Sequence, residues 1–203
     1  MSPLGRFGRV GRWFDGPALA GTGKGRLGLA LFLVSLGAMF LAAMVAFVAI
    51  RLGAGNRWPP PGAPQIPRTI WLSTLLVVGT SVVIAAALTA VRRDLGNARL
   101  AFRLGMALVL AVAFLGTQTA VWIQLQLAGG GVRSSVYGFT FNVFTALHAV
   151  HVLGGIVPLA FVLWRARRGA YDARRHGAVA YTATYWHFLS GVWLLLFALM
   201  VLW

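Results

Sequence analysis

Three of the four histidines in this chain sit inside stretches apolar enough to lie in a lipid bilayer. They are His148 and His151 in His148-Ala-Val-His151-Val-Leu-Gly-Gly155, and His187 in Thr184-Tyr-Trp-His-Phe-Leu-Ser-Gly-Val-Trp193. Imidazoles at that depth ligate a cofactor, bind a lipid or partner, or tie helices together, because hydrocarbon offers them no hydrogen bond. His148 and His151, three residues apart, share one helix face, and Gly154 and Gly155 on the next turn leave room for a second helix or a flat cofactor. At 1.5 Å of rise per residue along oppositely directed spans, His151 and His187 fall within roughly 6 Å of the same depth, so they could meet.

Other chemistries are restricted by what is missing. The chain has no Glu, and Asp15, Asp94 and Asp172 all fall outside the apolar stretches, so no span offers a carboxylate for a proton relay or cation site. Hydrolysis lacks a triad acid, no glycine-rich phosphate loop precedes a helix, and the absence of cysteine removes disulfides, thiolate metal sites and thiol catalysis. The net charge of +15 comes from arginines scattered in short loops, which suits anionic lipid headgroups and not nucleic acid.

The elements that position these residues are membrane helices. With 203 residues, 59% hydrophobic and 10% charged, the chain carries apolar runs of bilayer-spanning length without the alternation of barrel strands. We expect an all-α polytopic membrane protein with five spans at about 27–50, 69–91, 101–127, 139–164 and 178–202. These form a single membrane domain over 27–203, preceded by a basic tail over 1–26, and Trp58-Pro-Pro-Pro61 through Pro67 reads as an extended loop. The first apolar run is too long for a signal-peptide core and no small-residue cleavage site follows it. Lys and Arg divide fourteen to four between the two sides, which predicts a cytoplasmic amino terminus and an outer carboxyl terminus. Within the spans, Ser73, Thr74, Thr80 and Ser81 supply small polar surface for helix contacts, Trp71 falls at interfacial depth, and Pro158 bends its helix. Gln118 is an amide deep in an apolar run that must bond to a neighbouring helix.

Taken together, these segments resemble subunit III of haem-copper terminal oxidases (the cytochrome c oxidase subunit III family), in its five-helix form. Tyr185-Trp-His-Phe-Leu-Ser-Gly-Val-Trp193 is similar to that family's Tyr-Trp-His-Phe-Val-Asp-x-Val-Trp. Val136-Tyr-Gly-x-Thr-Phe141, His148-x-x-His151-Val-x-x-Gly155, Trp71-Leu-Ser-Thr74 and Gln118 match in order, over about Leu27 to Trp203. The resemblance implies a subunit with no catalytic residues, haem or copper of its own. It would pack on the catalytic subunit I, which carries haem and copper, and bind phospholipid in a cleft. By its spacing from His151, Arg165 matches an arginine that holds a lipid phosphate, with His148, His151 and Trp71 as further lipid-cleft residues. Tyr137, Gln118, Gly155, Trp186, His187, Ser190 and Trp193 would be helix-packing residues of the motifs. Where the family carries membrane carboxylates this chain has Leu36, Val121 and Ser190, which weakens any role for it in proton delivery. Three other readings stay open: an accessory subunit of a quinol oxidase or nitric oxide reductase, a small membrane cytochrome b with haem between His187 and His148 or His151, and a small-molecule transporter.

Overall fold

A computed structural model describes residues 23–55 and 58–202, so most of the expected basic tail lies outside the described residues. The described chain is helical throughout its apolar stretches: α1 (Gly23–Ala54), α2 (Thr69–Arg92), α3 (Asn97–Leu127), α4 (Val136–Arg167) and α5 (Gly177–Phe197), the last continuing as a π-helical turn over Ala198–Leu202. All five are long and apolar enough to cross a membrane. The helices begin and end up to four residues beyond the apolar runs at 27–50, 69–91, 101–127 and 139–164. The extra turns carry polar residues such as Asn97, Arg165 and Arg167, because the helices run on after the apolar stretches have ended.

Antiparallel α2 and α3 form a hairpin, α4 packs on α3, and α5 lies against both α2 and α4. α1 stands at the side and reaches α5 through Leu36, Phe40 and Met44, a stripe at spacing four that meets Val192 and Leu196. In lipid no hydrophobic effect drives helices together, so close fit and cross-helix hydrogen bonds carry the assembly. Several such bonds are made. Trp193 Nε1 donates to Thr74 Oγ1 at 3.0 Å, joining α5 to α2, and Trp122 Nε1 donates to Thr145 Oγ1 at 2.8 Å, joining α3 to α4. Ser73 Oγ donates to Thr117 Oγ1 at 3.2 Å between α2 and α3, and Ser190 Oγ to the Val77 carbonyl at 3.3 Å between α5 and α2. Thr80 is not used this way. Its hydroxyl turns back to the Leu76 carbonyl of its own helix, the usual refuge of a threonine without a partner.

Glycine decides how closely two of these helices approach. A Cβ on Gly155 would stand 2.6 Å from Tyr185 Cε1 and 3.2 Å from Trp186 Cζ2, so α4 and α5 touch where a side chain is missing. At the start of α4, a Cβ on Gly138 would stand 2.6 Å from the Gly131 carbonyl oxygen, which seats the 128–135 turn on the helix. Asn142 Nδ2 holds that turn by donating to the Gly130 carbonyl at 3.2 Å. Pro158 lies inside α4, and the helix runs on through it to Arg167.

At the other end of the bundle, the link between α4 and α5 is ordered by Asp172. Its Oδ1 accepts the backbone N–H groups of Arg174 and Arg175, each at 2.7 Å, and these two bonds hold the carboxyl below the usual carboxylate range.

Two outcomes follow from this packing. Gly155→Ala should destabilise the bundle by about 1–3 kcal/mol through overpacking, whereas Gly154→Ala, whose Cβ would meet only Tyr185 Oη at 3.9 Å, should be close to neutral; thermal unfolding in detergent compares them. The depressed Asp172 carboxyl makes its contribution above its unfolded pKa of about 3.9 and loses it as the pH falls through its folded value. Protection of the Arg174 and Arg175 amides against hydrogen exchange, corrected for intrinsic rates, should therefore be full at neutral pH and vanish in strong acid. Asp172→Ala should abolish it at every pH.

Candidate functional site

The histidine face of α4 lies at the centre of the bundle. His148 is fully enclosed: its ring lies 4.9 Å from Trp193 of α5, 5.7 Å from Phe114 of α3 and 6.3 Å from Phe40 of α1, centroid to centroid. Phe114 and Trp193 also meet edge to face at 5.1 Å. Because Trp193 is hydrogen-bonded to Thr74 of α2, all five helices converge on this one cluster. Neither His148 nitrogen has a hydrogen-bond partner among the described residues.

His151, three residues on, is half-buried and lies beside α1, 5.3 Å from the Phe40 ring, with its Nδ1 2.6 Å from the Leu147 carbonyl of its own helix. His187 faces a different way. It is exposed on the surface, with Nδ1 2.6 Å from Ser81 Oγ on α2. The expectation that His151 and His187 meet therefore fails, and the reason is azimuth. Residues two apart on a helix stand about 200° from one another, so when Tyr185 faces α4 and donates its hydroxyl to the His151 carbonyl at 2.7 Å, His187 is turned toward α2. Matching depth along two helices says nothing of rotation about them.

A haem held between His187 and either α4 histidine does not fit this geometry. The room left by Gly155 is filled by Tyr185 and Trp186, and His148 is enclosed by aromatic rings. Among the described residues no group of three His, Asp or Glu side chains is placed to hold a metal ion.

Gln118 corrects another expectation. It is fully buried, yet neither amide atom bonds to a neighbouring helix. The α3–α4 hydrogen bond at this level is made one turn further on by Trp122 to Thr145, so the pairing falls to an indole. Trp186 is likewise buried with its Nε1 unpaired, packed beneath Gly155. Tyr137 lies 5.4 Å from the Trp58 ring, and Trp58 in turn meets Phe47 of α1 at 5.7 Å, so this motif tyrosine anchors the proline-rich loop.

The expected lipid residues do not share one place. Trp71 begins α2 at the loop end of the bundle, exposed, with its ring 4.8 Å from Phe197. Arg165 is at the opposite end of α4, half-buried, its guanidinium 5.8 Å from the centre of the Tyr171 ring. Burial pushes the Tyr171 hydroxyl up to about 12, against the opposing pull of Arg165, so it faces the guanidinium as a neutral phenol and not as a counter-ion. His148 has no surface to offer a lipid. His151 and Arg165 remain on one side of α4, with exposed Gly154 and Pro158 between them. Phe40, which supplies the contact to His151, carries no sequence signal beyond lying in an apolar span, whereas Ser81, which meets His187, belongs to the small polar surface expected of α2.

The family model described as cytochrome c oxidase subunit III matches residues 16–203 of this chain. The chain is 34% identical to cytochrome c oxidase subunit 3 of Thermostichus vulcanus over 176 residues, covering 86% of this chain and 85% of that protein. It is 30% identical to the protein of the same name from Synechocystis sp. over 177 residues, covering 86% and 74%. The probable cytochrome c oxidase subunit 3 of Mycobacterium tuberculosis is 28% identical over 165 residues, 78% of each chain. With five helices long and apolar enough to cross a membrane and the family model matched over residues 16–203, this multi-pass membrane protein belongs to the cytochrome c oxidase subunit III family.

Proposed function

We propose that this chain is the subunit III of a respiratory terminal oxidase that takes electrons from cytochrome c and reduces oxygen. It packs on subunit I, which holds haem and copper, and contributes structure and lipid, not redox chemistry. The observation that carries this reading is the use made of the motif residues. His148, Gly155, Tyr185, Ser190 and Trp193 are engaged with neighbouring helices and not with an open reaction site. The chain sits in a bacterial-type inner (plasma) membrane with its amino terminus in the cytoplasm, a placement supported by the fourteen-to-four division of basic residues.

The phospholipid reading narrows to Arg165 and His151. They are fourteen residues apart on α4, about 21 Å along the axis, with Gly154 and Pro158 leaving a shallow exposed strip between them. A guanidinium suits a phosphate oxygen pair, and an acyl chain would run from there along the strip toward His151. Trp71 would meet lipid of the other leaflet.

Purification from native membranes in mild detergent tests the main reading. A large polytopic subunit with haem and copper should accompany the chain, while the chain freed from that complex should be colourless. A haem spectrum in the isolated chain, or its arrival alone, would overturn the assignment. For the lipid, Arg165→Ala should lower the anionic phospholipid recovered with the complex and shorten its working life during turnover; unchanged lipid content would remove Arg165 from that role.

A further inference from the structure

The exposed His187 is an anomaly for a surface that faces lipid. It lies ten residues into the span Gly177–Val201, about 15 Å along the axis, and its partner Ser81 lies near the middle of Thr69–Arg92. Both are near the centre of a hydrocarbon layer about 30 Å thick. Ser81 Oγ engages Nδ1 at 2.6 Å. In either tautomer Nε2 then keeps an N–H or a lone pair. An acyl chain satisfies neither, so exposure of such a group at this depth is unfavourable unless protein covers it.

The surroundings suit a helix. Thr184 and Gly191, exposed on the same strip of α5, flank His187 at −3 and +4, and nothing stands within 4 Å of where a Gly191 Cβ would be. Small residues at that spacing let another backbone approach closely. The strip is a floor between two walls, because α5 touches α1 through Phe188 on Gly37 and α2 through His187 on Ser81. The exposed faces of α3 and α4 differ: Phe102, Met106, Val109 and Val112, and Val150, Leu153 and Val157, are apolar side chains that lipid covers without loss.

We infer that the α5 strip of Thr184, His187 and Gly191, walled by α1 and by Ser81 of α2, docks one transmembrane helix of the large partner subunit, which presents a hydrogen-bonding group to His187 and a small residue to Gly191. A symmetric pairing of two copies of this chain would only set one such strip against another, His187 against His187, whereas the large subunit can present a complementary helix. This inference rests on the oxidase-subunit reading above and assigns that partner a place.

The chain has no cysteine, so single-cysteine variants in the whole complex carry the test. With a photo-activated maleimide cross-linker in native membranes, Gly191→Cys should link to the large subunit, while Val112→Cys on the lipid-facing side of α3 should not. Links to a second copy of this chain, or to lipid alone, overturn the proposal. In parallel, His187→Leu should reduce retention of this chain on the large subunit several-fold in detergent at an unchanged membrane level, and His187→Gln, which keeps a donor and an acceptor, should restore much of it. Retention unaffected by His187→Leu overturns the hydrogen-bonding role. If the wild-type chain fails to accompany a haem-copper subunit at all, the oxidase reading falls; if it does so without a link at Gly191, only this docking face falls.

Discussion

The enclosure of His148 by Phe40, Phe114 and Trp193, with Trp193 bonded to Thr74, is the contact on which the bundle depends. Helices in a bilayer gain nothing by hiding apolar side chains from lipid that is equally apolar, so their arrangement must come from complementary shapes and from polar groups that lipid cannot serve. A cluster of four rings, one from each of α1, α3, α4 and α5, supplies the shape. The indole-to-hydroxyl bond within it supplies direction, since it fixes the rotation of α5 against α2. The peripheral α1, most of whose surface is exposed, owes much of its position to Phe40, which touches both α4 histidines.

Rotation of α5 explains how its motif serves two neighbours at once. Tyr185 and Trp186 are turned to α4, where Gly155 makes room for them, and His187 and Ser190 are turned to α2. Consecutive residues of a helix point about 100° apart, so a compact run of polar and aromatic groups in the sequence becomes a set of contacts spread around the helix. The apparent density of functional groups in Thr184–Trp193 is a density along the chain, and in space it is dispersed.

That dispersal is also why the sequence discloses the fold more fully than the site. The five spans are legible because length and apolarity alone place a helix in a bilayer, and Gly155 is legible as a close approach. Whether an aromatic residue or a cofactor fills the space beside Gly155 is not legible, since both need only a missing Cβ. The depth of His151 and His187 follows from rise per residue, but their facing depends on how α5 is rotated, which the Tyr185 and Trp193 hydrogen bonds decide. Gln118 shows the same limit: its burial is foreseeable from its neighbours, whereas the hydrogen bond to α4 at that level goes instead to Trp122, an indole with longer reach.

The three positions where resemblance to the family leads one to expect carboxylates point to a consistent change of character. Leu36 and Val121 are buried in apolar packing, the first against the α1–α5 contact and the second within the main core, and Ser190 spends its hydroxyl on the Val77 carbonyl. A carboxylate at any of them would have to be neutral or paired, because an isolated charge in a packed interior within hydrocarbon is prohibitively costly. Apolar and short hydroxyl side chains remove that cost and tighten the fit. The same substitutions leave no Asp or Glu in any of the five spans, and so no carboxylate at membrane depth through which this chain could relay a proton. What the spans retain is packing, indole and imidazole hydrogen bonds, and arginine at the helix ends.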